Sequence, residues 1–163
     1  MTHTTEADAR SFAIERHADQ RYGTAPYEVH LAAVRAVLAE IGITGPLLSA
    51  AWLHDVIEDT ATTKQEIVDR FGPVVAELVW AVTGVGADRK QRNHAVYAKL
   101  RAVPEAVTLK LADRIANVEA SLGSSPEMLA KYRSEWPGFS EALAGLGDEA
   151  LWNRLRRALG VDE

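Results

Sequence analysis

The chain has 163 residues, of which 47% are hydrophobic and 25% charged, with a formal net charge of −5 and no cysteine. This balance is typical of a globular protein, so we expect one domain over residues 1–163. The missing cysteines exclude disulfides and thiolate metal sites, the acidity argues against general nucleic-acid binding, and no apolar run reaches the roughly 18 residues of a membrane span. The polar start lacks a signal-peptide apolar segment, which makes the cytoplasm the expected location.

Almost every segment has the apolar spacing of an α-helix, and glycine or proline marks most of the ends. Helical spacing covers 6–22, stops near Gly23, and resumes over 27–42. Thr44 and Pro46 could then cap and begin a helix that runs through 47–59. Further helices are predicted over 63–71, 73–84, 92–102, 104–123, 125–136 and 148–160, with a loop over 84–90. No alternating strand pattern is long enough to count, so the predicted fold class is all-α, a bundle of about eight to ten helices.

Four ionisable side chains interrupt the apolar segment 47–59: His54, Asp55, Glu58 and Asp59. Burying a charge is costly unless the charge is paired or binds a metal. On a continuous helix, Glu58 lies one turn beyond His54 and Asp59 one turn beyond Asp55, which gives two acidic columns beside one imidazole. A divalent cation would relieve the repulsion among the carboxylates, and this ligand type suits Mn²⁺, Fe²⁺ or Mg²⁺, with Zn²⁺ also open. The competing interpretation is an exposed acidic helix end.

Two further polar residues lie in apolar helices. His30 has apolar neighbours on its C-terminal side and, taken alone, is more often a satisfied core histidine than a ligand. Asp113 lies in the helix over 104–123 and, taken alone, more often pairs with Lys110 or Arg114. Between residues 88 and 114, seven basic residues face three acidic ones, which suggests a small anionic ligand or, equally, a solvated helix face.

The order His, then His-Asp, then Asp is the pattern of HD phosphohydrolases. The segments "RYGTAPYEVH", "AAWLHDVIEDT", "FGPVVAELVWAVTG" and "LKLADRIANV" resemble the hydrolase domain of the Rel/Spo stringent-response proteins and the stand-alone small alarmone hydrolases. The resemblance covers roughly residues 10 to 140. It implies an HD-domain helical bundle and a Mn²⁺-dependent enzyme that removes the 3′-pyrophosphate of (p)ppGpp, a small anionic nucleotide, to give GDP or GTP. The remaining residues are too few for a synthetase segment, so a stand-alone hydrolase is expected.

The resemblance also implies a metal site and a catalytic pair. The matching metal ligands, which would hold one Mn²⁺ or less typically Fe²⁺, Mg²⁺ or Zn²⁺, are His30, His54, Asp55 and Asp113. Glu58 and Asp59 match the residues that orient and deprotonate the attacking water. This role agrees with their position beyond the ligands, within reach of a metal-bound water.

Three more positions match substrate contacts of the family. Arg21 corresponds to the arginine that lines the nucleotide pocket, Asn117 to the residue that contacts the ribose, and Lys110 could meet phosphate or remain solvated. The sequence departs from the family at Tyr22, where many members have Lys, and at Leu31, where many have Pro. Alternative substrates are therefore a ppApp-type alarmone or the 2′-phosphate of NADPH. An alternative of another class is a non-catalytic HD protein that binds a nucleotide or a protein.

Overall fold

The computed structural model describes residues 5–161, which form a helical bundle with one short hairpin. Within that range there are ten helices: α1 (Glu6–Arg16), α2 (Glu28–Glu40), α3 (Pro46–Leu53), α4 (Val56–Asp59), α5 (Lys64–Phe71), α6 (Pro73–Ala81), α7 (Arg89–Ala102), α8 (Glu105–Ser121), α9 (Pro126–Leu143) and α10 (Glu149–Leu159). The hairpin, β1 (Arg21–Tyr22) and β2 (Ala25–Pro26), lies between α1 and α2. The all-α fold class and the number of helices predicted from the sequence are confirmed.

Helix α8 is the centre of the bundle. It packs against α2, α3, α6, α7, α9 and α10. Twelve of its 17 residues are buried, so it has no broad solvent face. Two of the buried residues, Asp113 and Arg114, carry charges. Because a charge in such a position needs a partner or a bound ion, both residues mark places where the bundle is polar inside.

The segment between α1 and α2 differs from the prediction of a helix over 6–22. Helix α1 ends at Arg16, and the backbone N–H of Gln20 donates to the carbonyl of His17 at 2.9 Å in the turn that follows. Gly23, with φ of 61°, then supplies the left-handed conformation in the two-residue turn of the hairpin. The antiparallel pairs are Arg21 with Pro26 and Tyr22 with Ala25. Strands of two residues cannot show an alternating pattern, which is why the sequence gives no sign of them.

The helix predicted over 47–59 is two helices. Helix α3 ends at Leu53, and α4 is a single turn that begins after Asp55, whose φ of −103° and ψ of 0° lie in the bridge region. The imidazole of His54 donates from Nδ1 to the carbonyl of Ala51 at 2.7 Å and so satisfies a carbonyl at the end of α3. The predicted cap at Thr44 is wrong, because Gly45 is the N-cap and no side chain caps this helix.

Helix α9 also runs further than predicted. The spacing predicts its end at residue 136, but the helix continues past Pro137 to Leu143. Phe139 and Leu143 are fully buried. The stabilisation from this packing offsets the hydrogen bond that the helix loses because Pro137 has no backbone N–H. Across residues 5–161, every helix is too short or too polar to cross a membrane.

Candidate metal centre

Two imidazoles and two carboxylates converge where α2, the break between α3 and α4, and α8 meet. Nε2 of His54 lies 3.0 Å from Oδ2 of Asp55 and 3.3 Å from Oδ1 of Asp113. Nε2 of His30 lies 3.1 Å from the same Asp113 oxygen, 3.6 Å from Oδ2 of Asp55 and 3.3 Å from Nε2 of His54. One ligand atom from each of the four residues lies within 4.8 Å of the other three. The structure therefore brings together all four residues that match the family's metal ligands.

The spacing of these atoms suits one cation. Ligand bonds of about 2.1 Å place neighbouring ligand atoms about 3 to 3.5 Å apart around a single ion. The measured separations of 3.0 to 3.6 Å fall close to that range. Because Nδ1 of His54 donates to a carbonyl, loss of a proton from this imidazole leaves the lone pair on Nε2, which faces the centre as a metal ligand requires.

Electrostatics point the same way. Burial lowers the pKa of both imidazoles, but the neighbouring carboxylates outweigh it, so the pKa of His30 is raised and that of His54 lies well above its usual value. Burial raises the pKa of the two carboxyls, but the charge of His54 and the hydrogen bonds of both imidazoles hold the pKa of Asp55 below its usual range. Lys110 and His54 do the same for the pKa of Asp113. Two carboxylates thus stay ionised at one buried point, where protons on the imidazoles balance them in the metal-free chain, and a divalent cation would displace those protons and take over that role.

Aromatic rings hold the centre from the hairpin side. The ring of Tyr22 stacks on His30 with centroids 4.8 Å apart and an angle of 20° between the planes. The hydroxyl of Tyr27 donates to Oδ2 of Asp55 at 2.5 Å. Nδ1 of His30 has no hydrogen-bond partner within residues 5–161, so stacking, rather than a hydrogen bond at Nδ1, orients this ring.

Glu58 and Asp59, the predicted catalytic pair, lie on α4 at the edge of the same cavity. Oε1 of Glu58 accepts the backbone N–H of Gly84, and Oδ2 of Asp59 accepts from Nε2 of Gln20 at 3.1 Å. Burial, with the charge of Asp55 adding to it, raises the pKa of both carboxyls above the usual value. A carboxylate with a raised pKa is a better proton acceptor, which suits a general base.

Gly84 is where the chain passes closest to Glu58. A Cβ atom at this position would lie 2.6 Å from Oε1 of Glu58 and 2.8 Å from Cβ of Arg92, which is closer than real contacts allow. Only glycine therefore lets the backbone N–H approach the carboxylate here.

The cavity in front of the centre holds about 260 Å³. Four carboxylates line it on one side, and four cationic side chains line it as well: Arg89, Arg92, Lys110 and Arg114. Such a lining combines a cation-binding end with a wall that attracts anions. The basic segment between residues 88 and 114 therefore contributes to the site, although it also contains solvated residues.

The four cationic lining residues, called the cationic wall below, are held in part by a carboxylate outside the cavity. Glu135 on α9 accepts two hydrogen bonds from Arg89, at 2.7 and 2.9 Å, and one each from Arg114 at 2.9 Å and Asn93 at 3.0 Å. Arg92 differs, because its guanidinium has no ion pair or hydrogen bond to another side chain in the part of the chain that the structure describes. Its positive charge is thus available to a bound anion.

Two of the three predicted substrate contacts line the cavity. Lys110 lies 3.2 Å from Oδ2 of Asp113, so the ion pair expected for Asp113 alone is present together with the metal-ligand geometry. Asn117 donates to Oδ1 of Asp113 at 3.0 Å and accepts from the hydroxyl of Tyr22 at 2.8 Å. Arg21 is exposed on β1 and is not among the lining residues, so its role stays a prediction.

A second cavity of about 450 Å³ adjoins the first. The two share Asn117 and Tyr132, and the second is lined on the hairpin side by Tyr22 and on the other by Ser121 and Met128. Within residues 5–161, no charged side chain lines the second cavity, in contrast to the first.

Sequence reasoning missed several residues of the site, namely His17, Gln20, Tyr27, Gly84, Tyr132 and Glu135. Most of their contacts join residues far apart in the chain, as in the bond from Gln20 to Asp59, and their residue types alone do not indicate a role in the site. For the cationic wall a signal did exist, since the excess of basic residues over 88–114 indicated an anionic ligand.

Comparisons with known proteins agree with this geometry. A family model described as "HD domain" matches residues 9–138. A guanosine-3′,5′-bis(diphosphate) 3′-pyrophosphohydrolase of Aquifex aeolicus is 42% identical over 117 residues, which is 68% of this chain and 17% of the relative. A probable GTP pyrophosphokinase of Mycobacterium leprae is 35% identical over 136 residues, which is 77% of this chain and 17% of the relative. The chain thus spans less than a fifth of the length of these curated relatives.

One solved structure matches nearly the whole chain. It is described as a metazoan ortholog of SpoT that hydrolyzes ppGpp and plays a role in starvation responses. The TM-score is 0.81 at 27% sequence identity, and the match covers 98% of this chain and 97% of the other. A crystal structure from Listeria monocytogenes, with a TM-score of 0.63 at 22% identity, covers 80% of this chain and 99% of its own and shows the fold alone.

Proposed function

We propose that this chain, which belongs to the HD domain family and is related to the ppGpp hydrolase domain of the SpoT/Rel proteins, removes the 3′-pyrophosphate of (p)ppGpp in a Mn²⁺-dependent reaction. The products are GDP or GTP and pyrophosphate. One observation carries the proposal. A buried His/Asp cluster, a pair of carboxylates with raised pKa values and a cationic wall all face one cavity.

The metal would be held by His30, His54, Asp55 and Asp113, whose ligand atoms have the spacing described above. When bound, a divalent metal supplies positive charge to the phosphoryl oxygens and lowers the pKa of a coordinated water. The set of two imidazoles and two carboxylates without thiolate suits Mn²⁺ and Fe²⁺, and Zn²⁺ is the next candidate.

The chain's own residues account for the rest of the reaction. Water adds to the phosphorus that is bonded to the ribose 3′-oxygen, and Glu58 or Asp59 takes the proton that the water loses. The bond between phosphorus and the 3′-oxygen breaks, the 3′-oxygen gains a proton, and pyrophosphate leaves. Arg92 and Lys110 line the cavity with charge that would stabilise the negative charge on the phosphates.

The second cavity supports a nucleotide substrate rather than a simple phosphate ester. It holds about 450 Å³, the described residues that line it are uncharged, and it meets the cationic cavity at Asn117 and Tyr132. An uncharged cavity with a few polar groups suits a nucleobase, whereas the cationic cavity suits phosphates. The ribose would then lie near Asn117, as the family resemblance implies.

The test is a substrate panel. The purified protein is incubated with Mn²⁺ and with ppGpp, pppGpp, ppApp or NADPH, and products are identified by chromatography, with Asp55→Ala as the inactive control. We expect pyrophosphate with GDP or GTP from the guanosine alarmones. If NADPH is the only compound of the panel that releases phosphate, (p)ppGpp is refuted as the substrate, but phosphohydrolase chemistry at this site is supported. Nucleotide binding without turnover under Mn²⁺, Fe²⁺, Mg²⁺ and Zn²⁺ would indicate a non-catalytic nucleotide-binding protein.

A further inference from the structure

We propose that His17 and Gln20 form a relay that positions the carboxylate of Asp59. Both are positioning residues, because they reach the reacting atoms only through Asp59. The inference rests on the proposed function, since it takes Asp59 as one of the two carboxylates beside the attacking water. It adds a part of the site that lies outside the helices carrying the metal ligands.

The relay is a chain of two hydrogen bonds. Nδ1 of His17 lies 2.7 Å from Oε1 of Gln20, and Nε2 of Gln20 donates to Oδ2 of Asp59 at 3.1 Å. An ionised carboxylate can only accept, so the amide nitrogen of Gln20 must face Asp59 and its oxygen must face His17. Nδ1 of His17 is therefore the donor, and the imidazole is fixed in the Nδ1–H tautomer. Each group in the relay thus has one hydrogen-bond orientation.

The burial of His17 shows that its polar ring serves this bond. The residue is 3% exposed, and its Nε2 is buried with no hydrogen-bond partner within residues 5–161. If the position only had to be filled, an apolar ring would fit it without leaving a buried nitrogen unpaired. Among the residues that the structure describes, the only side-chain hydrogen bond of the ring is the one to Gln20.

The backbone holds both relay residues in place. His17 is the C-cap of α1, and its N–H donates to the carbonyl of Ala13 at 2.9 Å. The N–H of Gln20 donates to the carbonyl of His17, and the carbonyl of Gln20 accepts from the N–H of Tyr27 at 3.2 Å, where the hairpin closes. The His17 ring also packs on Tyr27 with centroids 4.7 Å apart. Helix end and hairpin together therefore set the direction in which the Gln20 amide points.

This arrangement restrains the orientation of the Asp59 carboxylate, which is exposed at the edge of the cavity. Asp59 is the last residue of a helix of one turn, which by itself restrains a side chain weakly. A hydrogen bond to one carboxylate oxygen limits rotation of the group, so the base keeps its direction toward the cavity. Loss of the relay should lower turnover while leaving substrate binding in the cationic wall unchanged.

The first experiment compares Gln20→Leu with Gln65→Leu. Gln65 donates to Asp69 at 2.8 Å on the exposed face of α5, so the control removes a similar amide–carboxylate bond far from the site. We expect Gln20→Leu to lower kcat about 10- to 100-fold, with KM within about twofold and metal content unchanged. Gln65→Leu should match the wild type. A raised KM with unchanged kcat would overturn the relay.

Two further variants separate positioning from packing. His17→Phe keeps a ring against Tyr27 but removes the donor, whereas His17→Asn removes the ring but offers an amide N–H near the position of Nδ1. We expect Asn to retain more turnover than Phe, although Phe should retain the greater thermal stability. In an Asp59→Asn background, Gln20→Leu should cause little further loss, because both changes act on the same carboxylate. Equal losses in both backgrounds would refute the relay.

A readout that does not need turnover separates this inference from the proposed function. In ¹⁵N-labelled protein, the ring nitrogens of His17 should show a protonated Nδ1 and a bare Nε2, and Gln20→Leu should abolish that fixed tautomer. An Nε2–H tautomer in the wild type would overturn the relay whatever the activity. If no nucleotide of the panel is hydrolysed, the proposed function fails, and the tautomer still decides whether the relay exists.

Discussion

Replacing Glu135 by Gln tests how the cationic wall is held together. The carboxylate accepts four hydrogen bonds, from two nitrogens of Arg89 and from Arg114 and Asn93. Gln has nearly the same size but carries no charge, and its amide nitrogen would face a guanidinium. The side chain of Arg114 is only 5% exposed, so its charge would lose its ionic partner inside the bundle.

The magnitude follows from the pKa of Glu135. Burial raises this pKa, but the hydrogen bond from Arg89 and the charge of Arg114 outweigh it and lower the pKa from 4.5 to about 2. At 1.36 kcal/mol for each pKa unit, the ionised carboxylate stabilises the fold by about 3 kcal/mol at most. Solvent reaches part of the group, whose side chain is 18% exposed, and this screening reduces the value. We therefore expect Glu135→Gln to lower the free energy of unfolding by about 2 kcal/mol at pH 7.

The pH dependence identifies the cause. A carboxyl whose folded pKa is depressed contributes its full stabilisation above the unfolded pKa of 4.5 and loses it as the pH falls toward 2. The difference between wild type and Glu135→Gln should therefore shrink to about 60% of its pH 7 value at pH 3.5. Urea unfolding of protein kept in EDTA measures it without a contribution from metal binding.

A matched control is Glu119→Gln. Glu119 accepts two hydrogen bonds from Arg154, each at 2.8 Å, but its side chain is 36% exposed and lies away from both cavities. Its loss should cost less than about 1 kcal/mol. If Glu135→Gln changes stability no more than this control, or by the same amount at pH 7 and pH 3.5, the charge of Glu135 does not stabilise the wall in the way described.

Three further predictions concern the centre and its substrate. Asp55→Ala should lose both metal and turnover, and metal analysis showing full content with full activity would contradict the ligand assignment. Glu58→Gln combined with Asp59→Asn should keep metal and fold but lose about 10²- to 10⁴-fold in kcat, so a wild-type rate would mean that another group activates the water. Arg21→Ala should raise KM for every nucleotide, and Tyr22→Lys should shift the ratio of kcat/KM between guanosine alarmones, adenosine alarmones and NADPH by about tenfold to two-hundredfold. Tyr22→Phe, which keeps the ring, is the control, and unchanged ratios would show that position 22 does not select substrates.

The parts of the site that were visible in the sequence are those in which the residue type itself is improbable. Charged and ionisable residues in an apolar helix cost free energy unless they are matched, so His54 and Asp55 stand out from the sequence alone. His30 and Asp113 joined them as expected ligands only through the resemblance to the HD family. The helix period also follows from local spacing, and for this reason the all-α class and most helices were predicted. Their ends were less certain, because Pro137 is tolerated inside α9 only through packing against buried neighbours.

The sequence could not show the arrangement of the ligand atoms, because that arrangement depends on the helix break at His54 and Asp55. Adjacent residues on one straight helix point about 100° apart, and the prediction placed the acidic groups in two columns on that assumption. In the folded chain, the turn between α3 and α4 brings Nε2 of His54 to 3.0 Å from Oδ2 of Asp55. The turn is stabilised by the bond from His54 to Ala51 and by tertiary contacts from Asp113 on α8 and from Tyr27 at the N-cap of α2. Local spacing thus drew attention to residues that the structure brings together, although the helix geometry assumed for them is absent.

Asn117 shows how the metal centre and the substrate side are connected. Its amide nitrogen donates to Asp113, and its oxygen accepts from Tyr22, so the residue already orients a ligand of the centre. An amide nevertheless has two N–H groups and two acceptor lone pairs, and one of each remains. A ribose hydroxyl both donates and accepts, so it could bind Asn117 without breaking either existing bond. A lysine at position 22 would lack the ring that stacks on His30, and its ammonium would place a positive charge beside Asn117. The tyrosine at this position therefore contacts both a proposed metal ligand and the residue that we propose binds the ribose.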